Sequence, residues 1–85
     1  MWLIYIVKCS DGTLYTGMTN DLSKRMGTHN RGKGGAYTRS RKPVKLVYTE
    51  KCRTRGKALK REAAIKKLNR KGKEKLIGRI NVALY

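Results

Sequence analysis

Residues 2–19, WLIYIVKCSDGTLYTGMT, decide the fold. Trp2 to Cys9 is rich in β-branched and aromatic residues and runs into Ser10-Asp11-Gly12, the composition of a strand entering a turn. Thr13 to Thr19 has the same character, so the two runs read as a β-hairpin. The loop length then decides which side chains share a face. A loop of Ser10-Asp11-Gly12, with Gly12 in the left-handed bulge position, pairs Cys9 with Thr13, Val7 with Tyr15 and Tyr5 with Gly17. Both tyrosines then point to one side. A loop one residue shorter slips the pairing and sends them to opposite faces. Only the first register makes a shared site. Gly17 is a weak strand residue unless something must approach the backbone there.

Beyond the hairpin, Asn20-Asp21 caps a helix starting at Leu22, and the helix dipole favours a carboxylate at that end. Leu22 and Met26 recur at i, i+4, with Arg25 and His29 one turn apart on the flank of that stripe. Asn30 to Lys42 is rich in Gly, Lys and Arg and reads as a basic loop. After Pro43, Val44, Leu46 and Tyr48 alternate with Lys45, Val47 and Thr49, which predicts a third strand over Val44 to Lys51, paired with the hairpin. Thr54 to Asn69 reads as a helix with Ala58, Glu62 and Ile65 on one face and Lys57, Lys60, Arg61, Lys66 and Lys67 around the rest. Gly72 interrupts, and Glu74 to Leu84 reads as a shorter last helix with Leu76, Ile77 and Ile80 inward. The expected fold is α+β, a small three-stranded antiparallel sheet flanked by helices in the order β-β-α-β-α-α. Residues 1–85 read as a single domain with a modest core, without repeat or linker.

The chain carries 22 Lys+Arg against 5 Asp+Glu, a formal charge of +17. Such an imbalance points to a polyanionic partner, nucleic acid first. A membrane surface would need an amphipathic helix with bulky apolar anchors. The basic helices offer Ala, Leu and Ile but no Trp or Phe, so no membrane partner is expected. No apolar run approaches the ~20 residues of a membrane span. Cys9 and Cys52 form no CxxC and have no paired histidines, too few ligands for zinc. They read as reduced thiols used as small apolar residues in a cytoplasmic protein. The chain opens directly into a strand-like run, so no signal peptide is read.

Five side chains stand out: Tyr5, Tyr15, Arg25, His29 and Glu62. Together they supply hydroxyls, a guanidinium, an imidazole and one hard oxygen ligand. Phosphodiester hydrolysis needs an activated water, charge stabilisation at the phosphoryl oxygens and neutralisation of the leaving oxygen; one divalent ion can do much of the last two. Glu62 is open to two readings, a metal ligand or an i, i+4 ion pair with Lys66 worth about 0.3–0.5 kcal/mol. Arg25 is either a surface residue whose stem covers apolar area or a bidentate clamp on a phosphate. His29 can be a structural residue or, with Arg25, can orient or protonate a phosphate. The tyrosines are good strand residues first, and a nearby cation would be needed to make a phenolate from either.

Leu3-Ile4-Tyr5, Tyr15-Thr16-Gly17, Arg25, His29 and Glu62 resemble the GIY-YIG nuclease domain in order and approximate spacing. The likeness is closest to the small stand-alone members of bacteria and archaea, in which a Gly-rich stretch ending in Ala-Tyr-Thr, here Ala36-Tyr37-Thr38, follows the histidine. The resemblance implies a metal-dependent endonuclease acting on DNA, structure-selective or nonspecific. It makes Glu62 the ligand of a single Mg2+ or Mn2+ and Arg25 the holder of the scissile phosphate. Tyr5 or Tyr15 would be the general base, and His29 would touch the phosphate or the base. Leu3 replaces the first motif glycine and Thr16 the middle of the second triplet. Met18 stands where the family's excision-repair nuclease has a lysine, and Asn69 is a loose match to that enzyme's helix-terminal asparagine. Family nucleases mostly draw specificity from an added domain, which leaves substrate choice here to shape or to a protein partner.

The alternative is a nucleic-acid-binding module of the same fold, with weak or no catalysis, working with a repair or ribosomal partner. Under either reading the protein is expected to be a monomer. Its basic loop, with Arg31, Lys33, Arg39, Arg41 and Lys42, would guide a strand inward. Tyr37 would stack on an unpaired base, a contact worth about 1–3 kcal/mol.

Overall fold

A computed structural model describes residues 1–32 and 41–78. The elements are β1 (Trp2–Lys8), β2 (Leu14–Thr19), α1 (Leu22–Asn30), β3 (Lys45–Cys52), α2 (Arg55–Lys66) and α3 (Arg70–Gly78). Their order is β-β-α-β-α-α, as expected. The three strands form one antiparallel sheet in the order β2-β1-β3, so β1 is central.

The hairpin adopts the register that makes a shared face. Cys9 N–H donates to Thr13 O at 2.8 Å, and Gly12 N–H donates to Cys9 O at 2.9 Å with Gly12 at φ +85°. From that turn, Val7 falls opposite Tyr15 and Tyr5 opposite Gly17. The hairpin tip is gripped from two sides. Arg41 bonds Asp11 at 3.0 Å and its carbonyl accepts from Ser10 N–H, while Arg70 of α3 donates to Gly12 O at 2.7 Å.

Alternation along β1 divides the interior in two. Ile4 and Ile6 pack with Tyr48, Ala58, Ile65 and Leu76, which seats α2 and α3 on one face of the sheet. Tyr5, Val7, Cys9 and Val44 pack with Tyr15, Leu22, Met26 and Leu46, which seats α1 on the other. Each fully buried aliphatic side chain contributes about 1.5–3 kcal/mol. The simple alternation expected for the third strand does not hold. The pairing of β3 with β1 shifts between Ile6 and Val7, from Tyr48 to Leu46, skipping one residue of β3. That bulge sends Leu46 to the α1 face and Tyr48 to the α2 face, where period-two reading puts both on one side.

The caps fix the helix starts. Asp21 accepts from Lys24 N–H at 3.1 Å, and Thr19 Oγ1 accepts from Asp21 N–H at 3.0 Å, so the end of β2 is wired into the cap of α1. Thr54 accepts from Lys57 N–H at 3.1 Å at the start of α2. Two expected boundaries are corrected. The long helix ends at Lys66 instead of reaching Asn69. Gly72 does not interrupt; it lies inside α3 because Asn69 accepts from Gly72 N–H at 2.8 Å and caps a helix starting at Arg70. Leu76 and Ile77 face inward as expected. Ile80 and the rest of 79–84 lie outside the described residues.

Gly17 is a steric requirement. A Cβ built on it would overlap the hydroxyl and ring carbons of Tyr5, whose side chain lies across β2 at this point. By contrast, a Cβ on Gly56 of α2 meets nothing within 4 Å. Gly17→Ala should therefore lower stability by about 1–3 kcal/mol. Gly56→Ala should be neutral or mildly stabilising, because it adds helix propensity in open space. Denaturant midpoints of the two variants check this; equal tolerance would contradict the close approach.

Candidate active site

Tyr5 leaves β1 on the α1 side and crosses the bare backbone at Gly17. Its hydroxyl lies 2.9 Å from His29 Nε2, a buried contact between the central strand and the last turn of α1. His29 is fully buried. Its ring meets both tyrosines edge-on, with centroids 5.8 Å from Tyr5 and 5.6 Å from Tyr15 and interplanar angles of 65° and 67°. Tyr15 is half-buried, whereas Tyr5 is 2 % exposed.

Burial governs the ionisation of this cluster. It pushes the Tyr5 phenol up to about 12, helped by the neighbouring Tyr15 and by the Glu62 carboxylate and opposed by the Arg25 guanidinium. Burial pulls His29 below its ordinary 6.5, and the Arg25 charge adds to that fall. Near neutral pH the pair is a phenol and a neutral imidazole. The Tyr5 O–H donates when Nε2 is unprotonated, and the roles reverse in the other tautomer. Tyr15, Arg25 and Glu62 all stand close enough to act on the Tyr5 oxygen. Tyr5, Tyr15, Arg25, His29 and Glu62 are thus gathered from β1, β2, α1 and α2.

Glu62 sits on the flank of α2, its side chain 18 % exposed. Lys66 approaches it at 3.8 Å, a long ion-pair contact from a half-exposed side chain. Arg61, the other neighbour, turns away and bonds Glu50 at 2.6 Å, while Tyr48 donates to the other oxygen of Glu50 at 3.1 Å. Among the described residues no group of three or more His, Cys, Asp or Glu side chains converges. A lone, half-shielded carboxylate fits Mg2+, which keeps several waters and takes further ligands from substrate phosphates. Arg25 is half-buried and lines an open depression of about 320 Å³ with Thr19, Asn20, Asp21, Lys24 and Thr28.

The basic loop is described only at its ends. Arg31 reaches Thr28 at 3.5 Å, Arg41 bonds Asp11, and Lys42 is exposed. Lys33, Tyr37 and Arg39 lie outside the described residues. The ends are held together by Asn30, whose side chain accepts from Val44 N–H at 2.7 Å and donates to Val44 O at 3.4 Å. Neither this clamp nor the Tyr48–Glu50–Arg61 network follows from sequence, since each joins residues remote along the chain. Every acidic residue is engaged: Asp11 by Arg41, Glu50 by Arg61, Glu62 by Lys66, Glu74 by Arg70 and Asp21 as a cap. Most of the cations therefore have no acid to meet.

The buried neutral imidazole has a consequence for stability. His29 is the single histidine, and its folded pKa lies below the 6.5 of the unfolded chain. The unfolded chain takes up a proton first as pH falls through 6.5, so its stability contribution is present above that pH and lost below it. The melting temperature should fall between pH 7 and 5 (above the range where carboxylates titrate, about 4), and His29→Asn should flatten that fall. A melting temperature level across this window in the unaltered protein would contradict the assignment.

Related proteins share this sequence and fold. The model of the GIY-YIG catalytic domain matches residues 1–76. A UPF0213 protein of Desulfotalea psychrophila is 54 % identical over 77 residues, covering 89 % of this chain and 70 % of that protein. One from Staphylococcus saprophyticus is 55 % identical over 74 residues, covering 87 % and 90 %. The solution structure of a UPF0213 protein from Bacillus halodurans aligns with TM-score 0.60 at 40 % identity, over 92 % of this chain and 84 % of that one. A solution structure from E. faecalis aligns with TM-score 0.62 at 44 % identity, over 91 % and 82 %. With the motif tyrosines, arginine, histidine and glutamate in this order on this sheet, the chain belongs to the GIY-YIG family, whose catalytic domain is that of a nuclease.

Proposed function

We propose that the protein is a divalent-metal-dependent endonuclease that hydrolyses phosphodiester bonds in DNA in the cytoplasm. The observation that carries this reading is the Tyr5–His29 contact with Arg25 and Glu62 in electrostatic reach of the same phenol oxygen. Glu62 would hold the ion, which when bound supplies Lewis-acid stabilisation at the phosphoryl oxygens. Arg25 binds the scissile phosphate as a planar fork and brings the backbone against the β1–β2 hairpin. Tyr5 is buried and its oxygen is held by His29, so it positions the imidazole and closes the floor of the site to water. Tyr15 is half-buried on the same face against the 2 % exposure of Tyr5, so it is the tyrosine nearer solvent. It takes the role of general base in this reading, and His29 keeps its ring in place.

A second reading, the same fold binding nucleic acid with little catalysis, is favoured by two observations. Lys66 already stands beside Glu62, and Tyr5 is held firmly protonated. The two readings part on mutation. Glu62→Gln should abolish cleavage while leaving DNA affinity equal or slightly higher, because a negative charge is lost. Arg25→Ala should reduce cleavage by about 10²–10³-fold, the scale for removing one donor to a charged transition state. Labelled single-stranded, duplex and branched DNA, with RNA alongside and with or without magnesium, supply the readout. Unchanged rates in both variants would overturn the site, and no cleavage by the unaltered protein on any substrate would favour the binding module.

A further inference from the structure

The exposed side of α2 carries Lys57 and Lys60, continued by Lys67 at the C-cap, with the small exposed residues Gly56, Ala63 and Ala64 among them. By the 3.6-residue repeat this face lies roughly half a turn round the helix from Glu62. It carries no acidic residue, and its lysines have no ion-pair partner among the described residues. Like charges so close on one helix face repel one another, so the fold gains nothing from them.

The chemistry of this face selects its occupant. Ammonium groups separated by Gly and Ala let a phosphate backbone lie close along the helix. No aromatic is present to stack on an unpaired base, which points to duplex over single strand. No side-chain hydroxyl, amide or carboxylate is present to meet a 2′-hydroxyl, which points to DNA over RNA. Because this face lies roughly half a turn round α2 from Glu62, one straight duplex laid against Glu62 leaves it uncovered.

We propose that the outward face of α2 is a second docking surface, for the backbone of duplex DNA, so that the protein holds two duplex segments at once. One lies against the site of Arg25 and Glu62 and the other against Lys57, Lys60 and Lys67. The proposal rests on that site being the cleavage site, and it makes a branch, where two duplex arms meet, the substrate form.

The test is binding stoichiometry with magnesium withheld, using a DNA duplex of about one helical turn and native mass spectrometry. The unaltered protein should take two duplexes. The triple variant Lys57→Gln, Lys60→Gln, Lys67→Gln should take one. Its affinity for a four-way junction should also show a log–log salt slope flatter by about 0.9 for each phosphate contact removed. One duplex on the unaltered protein, two on the triple variant, or equal uptake of an RNA duplex at the second site would overturn the proposal. Because binding is read without cleavage, loss of the nuclease reading leaves this result legible.

Discussion

The structure depends on the passage of one side chain over another residue's missing one. Tyr5 stands at the centre of the central strand, and its ring reaches His29 only by lying across β2 where Gly17 has no Cβ. Remove that space and the ring must swing away, taking with it a buried polar contact between the sheet and α1. The hydrogen bond itself contributes about 0.5–1.5 kcal/mol. Its larger effect is geometric. It fixes the last turn of α1, from which Asn30 holds the start of β3 and Arg25, one turn back, faces the same phenol.

Charge explains the rest of the design. The fold needs few ion pairs, and four of its five acidic residues serve as struts or a cap: Asp11 at the hairpin tip, Glu50 between β3 and α2, Glu74 within α3 and Asp21 at the start of α1. The cations left over far outnumber the acids, an imbalance that favours association with polyanions. Near the cluster, burial and the Arg25 charge act against each other on Tyr5 and together on His29. Burial prevails at Tyr5 and is reinforced at His29, leaving the phenol protonated and the imidazole neutral, a resting state that further positive charge would shift toward phenolate.

Much of this was legible in residues 2–19, because a three-residue loop closed by Gly12 leaves a single hairpin register, and that register puts Tyr5, Tyr15 and Gly17 on one face. Short-range caps at Asp21 and Thr54 were equally readable, since their partners lie three residues on. The β3 bulge was not, because it reflects how β3 must twist to feed both faces of β1, which period-two alternation does not encode. Gly72 looked like a breaker because its low helix propensity is visible in sequence, whereas the Asn69 cap that outweighs it is a matter of geometry. The Thr16 hydroxyl, buried without a partner among the described residues, shows why an apolar residue would suit the middle of that motif. Of the site, the candidate side chains could be named from their chemistry and the family resemblance, but the pairing of Tyr5 with Nε2 depends on ring paths across the sheet.

The central claim is that Tyr5 and His29 act as one structural unit that organises the site. A double-mutant cycle of Tyr5→Phe and His29→Phe, read by denaturant unfolding, measures their coupling directly. The account predicts non-additivity of about 0.5–1.5 kcal/mol, the net value of a buried hydrogen bond. Effects that add to within about 0.3 kcal/mol, as for sites that do not touch, would contradict it.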